Sequence, residues 1–136
     1  GAEVTRLTHV PNSDFILVGL SSGNIHVLST CNKLALSSYR ISGRSSLLVS
    51  KTSSVSDISF HPSIPNILLI AHDCGTLSEW DLVQEKNIKT YSPAEGNTGT
   101  LLAVCWHPDG THFISGYRNG DVLLWKRGNG EQHIST

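Results

Sequence analysis

Apolar and polar positions along this chain follow a short-strand pattern with no helical period. Short apolar stretches of about four residues recur, each followed by a cluster of Gly, Pro, Asn, Asp or Ser: Phe15-Ile16-Leu17-Val18, Ile67-Leu68-Leu69-Ile70 and Val122-Leu123-Leu124-Trp125 are examples. Runs of this length, bounded by turn residues, read as β-strands. The pattern also repeats. Val4 to Pro11, Val55 to Pro62 and Leu101 to Pro108 align, with Val4, Val55 and Leu101 in register, then Leu7, Ile58 and Val104, then His9, Phe60 and Trp106. The landmark prolines at 11, 62 and 108 lie 51 and 46 residues apart.

Downstream of each proline the order of elements is the same. A turn leads into a second strand at Phe15–Gly19, Ile67–Ala71 and His112–Gly116. Glycine turns follow at Gly23, Gly75 and Gly120, where a tight hairpin needs positive φ. A third strand ends on Leu28, Trp80 and Trp125, and strand-like residues return at Leu34–Ile41 and Lys86–Tyr91. Four short strands per unit, at a period near 40–45 residues plus loop insertions, predict an all-β chain of about three four-stranded antiparallel β-propeller blades. The expected divisions are a blade over 4–41, a loop over 42–54, a blade over 55–91, a loop over 92–100 and a blade over 101–136. No convincing outer strand is expected in the last, because Glu131–Thr136 is short and polar. A β-sandwich would also have short strands, but does not account for three units sharing Pro and Gly landmarks. Three blades leave open faces, so the chain is expected to need further blades or self-association to close a propeller.

The units resemble WD40 repeats. The Trp-Asp pair of that family stands at Trp80-Asp81 and is replaced by Leu28-Ser29 and Trp125-Lys126. Where the family often places an Asp six residues before the Trp, this chain has Ser22, Cys74 and Asn119. Its blades are therefore expected to rely more on apolar packing than on a buried polar network. Longer strings, namely Leu17-Val18-Gly19 with Gly23–Val27, Ile67–Ile70 with Glu79–Leu82, Val104–Gly110 and Asn119–Trp125, are similar in order and interval to the first propeller of the lethal giant larvae and tomosyn family. That resemblance implies a non-catalytic, cytoplasmic scaffold, peripheral at the plasma membrane. It would bind syntaxin/SNAP-25 type SNAREs in exocytosis and vesicle trafficking, or cell-polarity proteins. The alternative is a generic WD40 structural subunit of another multiprotein assembly.

Composition narrows the classes. Hydrophobic residues make up 38% and charged residues 15% of the 136, as in a globular chain. A formal net charge of -1 gives no field to recruit nucleic acid. No apolar run reaches the roughly 20 residues of a transmembrane helix. Three cysteines are too few, and odd in number, for a disulfide framework. Neither a Cys-x-x-Cys pair nor a Gly-x-x-x-x-Gly-Lys loop occurs, and His61 and His107 share one repeat position. No enzyme, cofactor or metal site is expected.

Protein binding is expected on exposed turns. Tyr117, Arg118, Asn119 and Asp73 lie in or beside the turns after the second strands, and Tyr and Arg are enriched at interface hot spots. Tyr117 could equally pack between blades. The serine-rich, basic-flanked Ser42–Ser54 loop, with Ser45, Ser46 and Ser53, has the composition of a regulatory, phosphorylatable segment. It could equally be a solvated insertion.

Overall fold

The computed structural model describes residues 2–30, 36–41, 53–92, 99–128 and 131–134. Twelve strands form three four-stranded sheets. The first holds β1 (Val4–His9), β2 (Phe15–Leu20), β3 (Ile25–Ser29) and β4 (Leu36–Ile41). The second holds β5 (Val55–Phe60), β6 (Ile67–His72), β7 (Leu77–Asp81) and β8 (Lys86–Tyr91). The third holds β9 (Leu101–Trp106), β10 (His112–Tyr117), β11 (Val122–Lys126) and β12 (Glu131–Ile134). Each sheet is an antiparallel meander in chain order. The turns joining first to second and third to fourth strands therefore lie at one end of every blade, here the lower end. The second-to-third turns and the blade-to-blade links lie at the upper end.

The glycines at the second-to-third turns do what the hairpins require: Gly23, Gly75 and Gly120 have φ of 90°, 106° and 92°. One expectation fails. The last blade does have an outer strand, β12, paired from Val122↔Ile134 to Trp125↔Glu131. A polar sequence suffices there because backbone groups of β12 pair with the free edge of β11.

The blades stack face to face, and burial follows from the stacking. Leu17, Ile25 and Val27 of the first blade pack on Val55, Ile58, Leu68, Ile70 and Trp80 of the second. The opposite face of the second blade, with Ile67, Leu69 and Leu77, packs on Val104, Phe113, Leu123 and Trp125 of the third. Thus all six residues of β6 are buried, whereas β2 buries only alternate positions. Position-matched residues make the same point. Val55 and Leu101 are 0% exposed and Ile58 and Val104 are 7% and 5%, while Val4 and Leu7 are 58% and 63% exposed. The first blade has no neighbour on that side among the described residues.

Backbone and polar contacts pin the innermost strands together. The Asp57 carboxylate accepts from its neighbour Ile58 N (2.9 Å) and from Val104 N of the third blade (3.0 Å). Arg6 Nε of the first blade lies 3.1 Å from the same carboxylate. The wedge tryptophans differ. Trp125 Nε1 donates to Ser115 Oγ at 2.8 Å, and that hydroxyl reaches Tyr117 Oη at 3.1 Å. In the second blade Ile70 occupies the position of Ser115, and the buried Trp80 Nε1 finds no partner among the described residues. The second blade therefore relies on packing at this point, and the third retains part of a polar network.

Candidate protein-interaction surface

The upper end of the seam between the second and third blades gathers most of the residues singled out from the sequence. Leu101 N donates to Asp73 O (3.3 Å) and Arg118 N donates to Thr100 O (2.8 Å). Consecutive residues of the link between the blades thus hold the backbones of Asp73 and Arg118 on either side of it. Arg118 and Asn119 are exposed, and Asp73 is half-buried. Asn119 is held by its own turn: Asp121 N donates to its Oδ1 at 3.0 Å, and its Nδ2 donates to Asp121 Oδ2 at 3.2 Å. The result is a rigid turn displaying an exposed guanidinium beside an amide, with a carboxylate across the link.

Tyr117 is not part of that display. It is 5% exposed and belongs to the core between the second and third blades. Its position matches His72 in the second blade, and the alternating direction of the strand turns it inward. Packing, not partner binding, explains it. Ser53 is also buried, and its hydroxyl donates to Asp73 Oδ1 and accepts from Cys74 N (2.8 Å). A phosphate on Ser53 would have to displace this contact and would sit against a carboxylate. Ser45 and Ser46 lie outside the described residues.

His72, just before Asp73, lies at the upper end of the other seam. Its Nε2 bonds Gly23 O of the first blade at 3.0 Å. Burial pushes its pKa below the usual histidine value, opposed by the Gly23 carbonyl and by Asp73. The neutral ring with the proton on Nε2 fits this geometry.

Among the described residues, chemistry of other kinds finds no assembled site. Gly19-Leu20-Ser21-Ser22-Gly23 has the Gly-x-Ser-x-Gly spacing of a nucleophile elbow, a match the strand-and-turn reading passes over. Here the segment is a strand-to-strand hairpin, not a strand-to-helix turn. The Ser21 hydroxyl accepts from Glu3 N at 2.9 Å, and no imidazole bonds it among the described residues. Those residues also contain no group of three His, Cys, Asp or Glu able to hold a metal ion. No helix among them is long and apolar enough to cross a membrane. Cys74 and Cys105 are free, exposed thiols.

Comparison with known proteins agrees with this architecture. Residues 85–126 match the family model described as WD domain, G-beta repeat. The matched span takes in β8 of the second blade and β9–β11 of the third, so the repeat in sequence is offset by one strand from the blade in space and ties two blades together. A 69-residue stretch is 35% identical to Restriction of telomere capping protein 1 of Kluyveromyces lactis, covering 48% of this chain and 5% of that protein. A chain from the crystal structure of a mitotic checkpoint complex superposes with a TM-score of 0.71 at 17% identity, over 94% of this chain and 35% of that one. The chain thus spans about a twentieth of the first relative and about a third of the second. It carries a WD40 repeat within an incomplete β-propeller.

Proposed function

We propose that this chain is part of a non-catalytic scaffold and contributes a docking surface to a multiprotein assembly. The observation that carries this reading is the upper-end cluster of Arg118, Asn119 and Asp73, set on a hydrogen-bonded turn at a blade seam. Exposed charged and amide groups on a preorganised turn cost little entropy to bind with. A WD40 repeat at residues 85–126, and likeness to a chain solved within a checkpoint assembly, support protein binding as the activity. The free thiols suit the cytoplasm, which we propose as its location.

The partner separates two versions of the reading. Similarity of several strings to the lethal giant larvae and tomosyn family favours SNAREs or polarity proteins. The partial identity to a telomere-capping-restriction protein favours a subunit of some other assembly. The test is a titration of the intact protein, wild type and Arg118→Glu with Asp73→Lys, against a purified syntaxin-type SNARE assembly and against its co-purifying native partners. Saturable SNARE binding lost in the variant supports the SNARE version. No SNARE binding, with native partners lost in the variant, supports the generic subunit. Native partners and SNAREs all held at wild-type affinity by the variant would overturn the docking role of this surface.

A further inference from the structure

Several apolar side chains among the described residues are exposed. Val4, Leu7, Phe15 and Ile114 lie on strands at positions that stacking buries elsewhere in the chain. Ile64 and Val83 stand in turns at the lower end. Val83 is the most exposed of all, at 71%.

Phe15 and Val83 belong to one cavity. It lies at the lower end of the seam between the first and second blades, has a volume of about 210 Å³, and is walled by Val10, Phe15, Val27, Leu82 and Val83. That exceeds the ~150 Å³ that accommodates a benzene ring. The walls are preformed by backbone hydrogen bonds: Val10 N to Phe15 O (3.0 Å) and Leu82 N to Asn66 O (2.9 Å). The Asp81 carboxylate caps Val83 N and Gln84 N at 2.9 and 3.0 Å. A second depression of about 150 Å³ adjoins it, sharing Val10 and Asn66 and reaching Ile64 between Pro62 and Pro65.

The matching place in the sister seam also has a depression, wider at about 350 Å³, but Glu79, Lys89, Tyr91 and Arg127 line it along with Ile88. Register places Glu79 where the first seam has Val27, and Arg127 where it has Leu82. There Arg127 Nε and Nη2 reach Glu79 Oε2 at 2.9 and 2.8 Å, and Tyr91 Oη donates to Glu79 Oε1 at 3.0 Å. The seam between the first and second blades has the same backbone without that clasp, and its cavity is walled mainly by apolar side chains.

We infer that this cavity receives one large aliphatic or aromatic side chain from a peptide segment of a partner protein, with a basic residue next to it. The charge requirement comes from the two turns that carry the walls: Asp14 precedes Phe15, and Asp81 and Glu85 bracket Val83, against the one ammonium of Lys86, which is paired in register with Asp81. The adjoining depression at Ile64 would hold a further residue of the same extended segment. This deepens the scaffold reading by adding a second docking point at the opposite end of the blades from Arg118.

Fluorescein-labelled peptides Gly-Ser-Arg-X-Arg-Ser-Gly, with X as Leu, Phe or Asp, are titrated against the whole chain by anisotropy. Saturable binding is expected for Leu or Phe and not for Asp. Val83→Asp should weaken it about tenfold, as hot-spot changes do; the exposed position leaves the fold intact, which the melting curve checks. Val27→Glu with Leu82→Arg, which builds the sister clasp, should also abolish binding. Replacing both peptide arginines by glutamate should weaken it. Arg118→Glu should leave it unchanged, so this proposal and the upper-end surface fail separately. Absence of binding by the Leu and Phe peptides, or binding indifferent to Val83→Asp and to the clasp, would overturn the proposal.

Discussion

The two blade seams share one backbone plan and are sealed by different chemistry. Between the second and third blades, aromatic rings meet at close range: Phe113 stacks on Trp125 at 5.9 Å, and Tyr91 meets both edge-on at 5.0 and 5.7 Å. The buried Glu79, 1% exposed, is closed in by Arg127 and Tyr91. Between the first and second blades the filling is aliphatic apart from Trp80 and the partly buried Phe60, and the cavity at the lower end is walled mainly by apolar side chains, whereas the clasp lines the depression of the sister seam. The difference teaches that a propeller seam needs complementary surfaces but not a particular residue set. The foot of one seam is lined by an ion pair and that of its neighbour mainly by apolar side chains.

The largest effect is expected from breaking the clasp. Arg127→Ala leaves a carboxylate buried without its cation, and about 3 kcal/mol of stability should be lost in denaturant unfolding. Glu79→Leu combined with Arg127→Met converts this seam to the chemistry of its sister and should recover most of the loss. A double variant as unstable as Arg127→Ala would show that the seam depends on charge and not on filled volume.

A smaller effect is expected at one repeat position seen in two contexts. A Cβ on Gly19 would approach Val55 Cγ1 to 2.8 Å and Val55 Cβ to 3.0 Å, whereas a Cβ on the matching Gly116 meets nothing within 4 Å. Gly19→Ala should cost about 1–3 kcal/mol by overpacking the first seam, and Gly116→Ala should stay within about 0.5 kcal/mol. Equal melting temperatures for the two variants would contradict the stacking described for the first two blades.

The smallest effect is in the pH profile, and its two limbs should report different seams. His72 has a folded pKa below its unfolded value near 6.5, so the unfolded chain takes up the proton first. The stability it contributes is present above that value and falls as pH drops below it; His72→Gln should flatten the acid limb. Tyr91 is shifted the other way, up to about 12, first by burial, with the Gly128 N–H opposing and Glu79 adding to the rise. Its contribution is full below pH 10 and is lost as pH climbs toward 12; Tyr91→Phe should flatten the alkaline limb. An unchanged profile in either variant would remove that residue from its seam's pH response.

Much of this was legible in the chain. Matching Pro and Gly landmarks gave the three units, and alternation within them gave the strands, because turn chemistry and period-two burial are local properties. Arg118, Asn119 and Asp73 were found as turn residues for the same reason. Local sequence alone leaves Tyr117 and Ser53 with two readings each, because which way a strand-end tyrosine faces, and that a loop serine meets Asp73, depend on neighbours twenty or more residues away or in another blade. The outer strand β12 escaped notice because backbone pairing leaves no apolar signature.

The sequence by itself determined the repeat, the strands, the turns and the absence of a transmembrane-length run, since each follows from residue type at short range. Only the tertiary structure decided which faces are covered and how each seam is filled. Val27 and Glu79 are both strand residues at one repeat position. Whether that position becomes an apolar wall or an ion-pair clasp depends on the side chain brought from the next blade, Leu82 or Arg127. Packing between blades is a long-range outcome, and no local pattern encodes it.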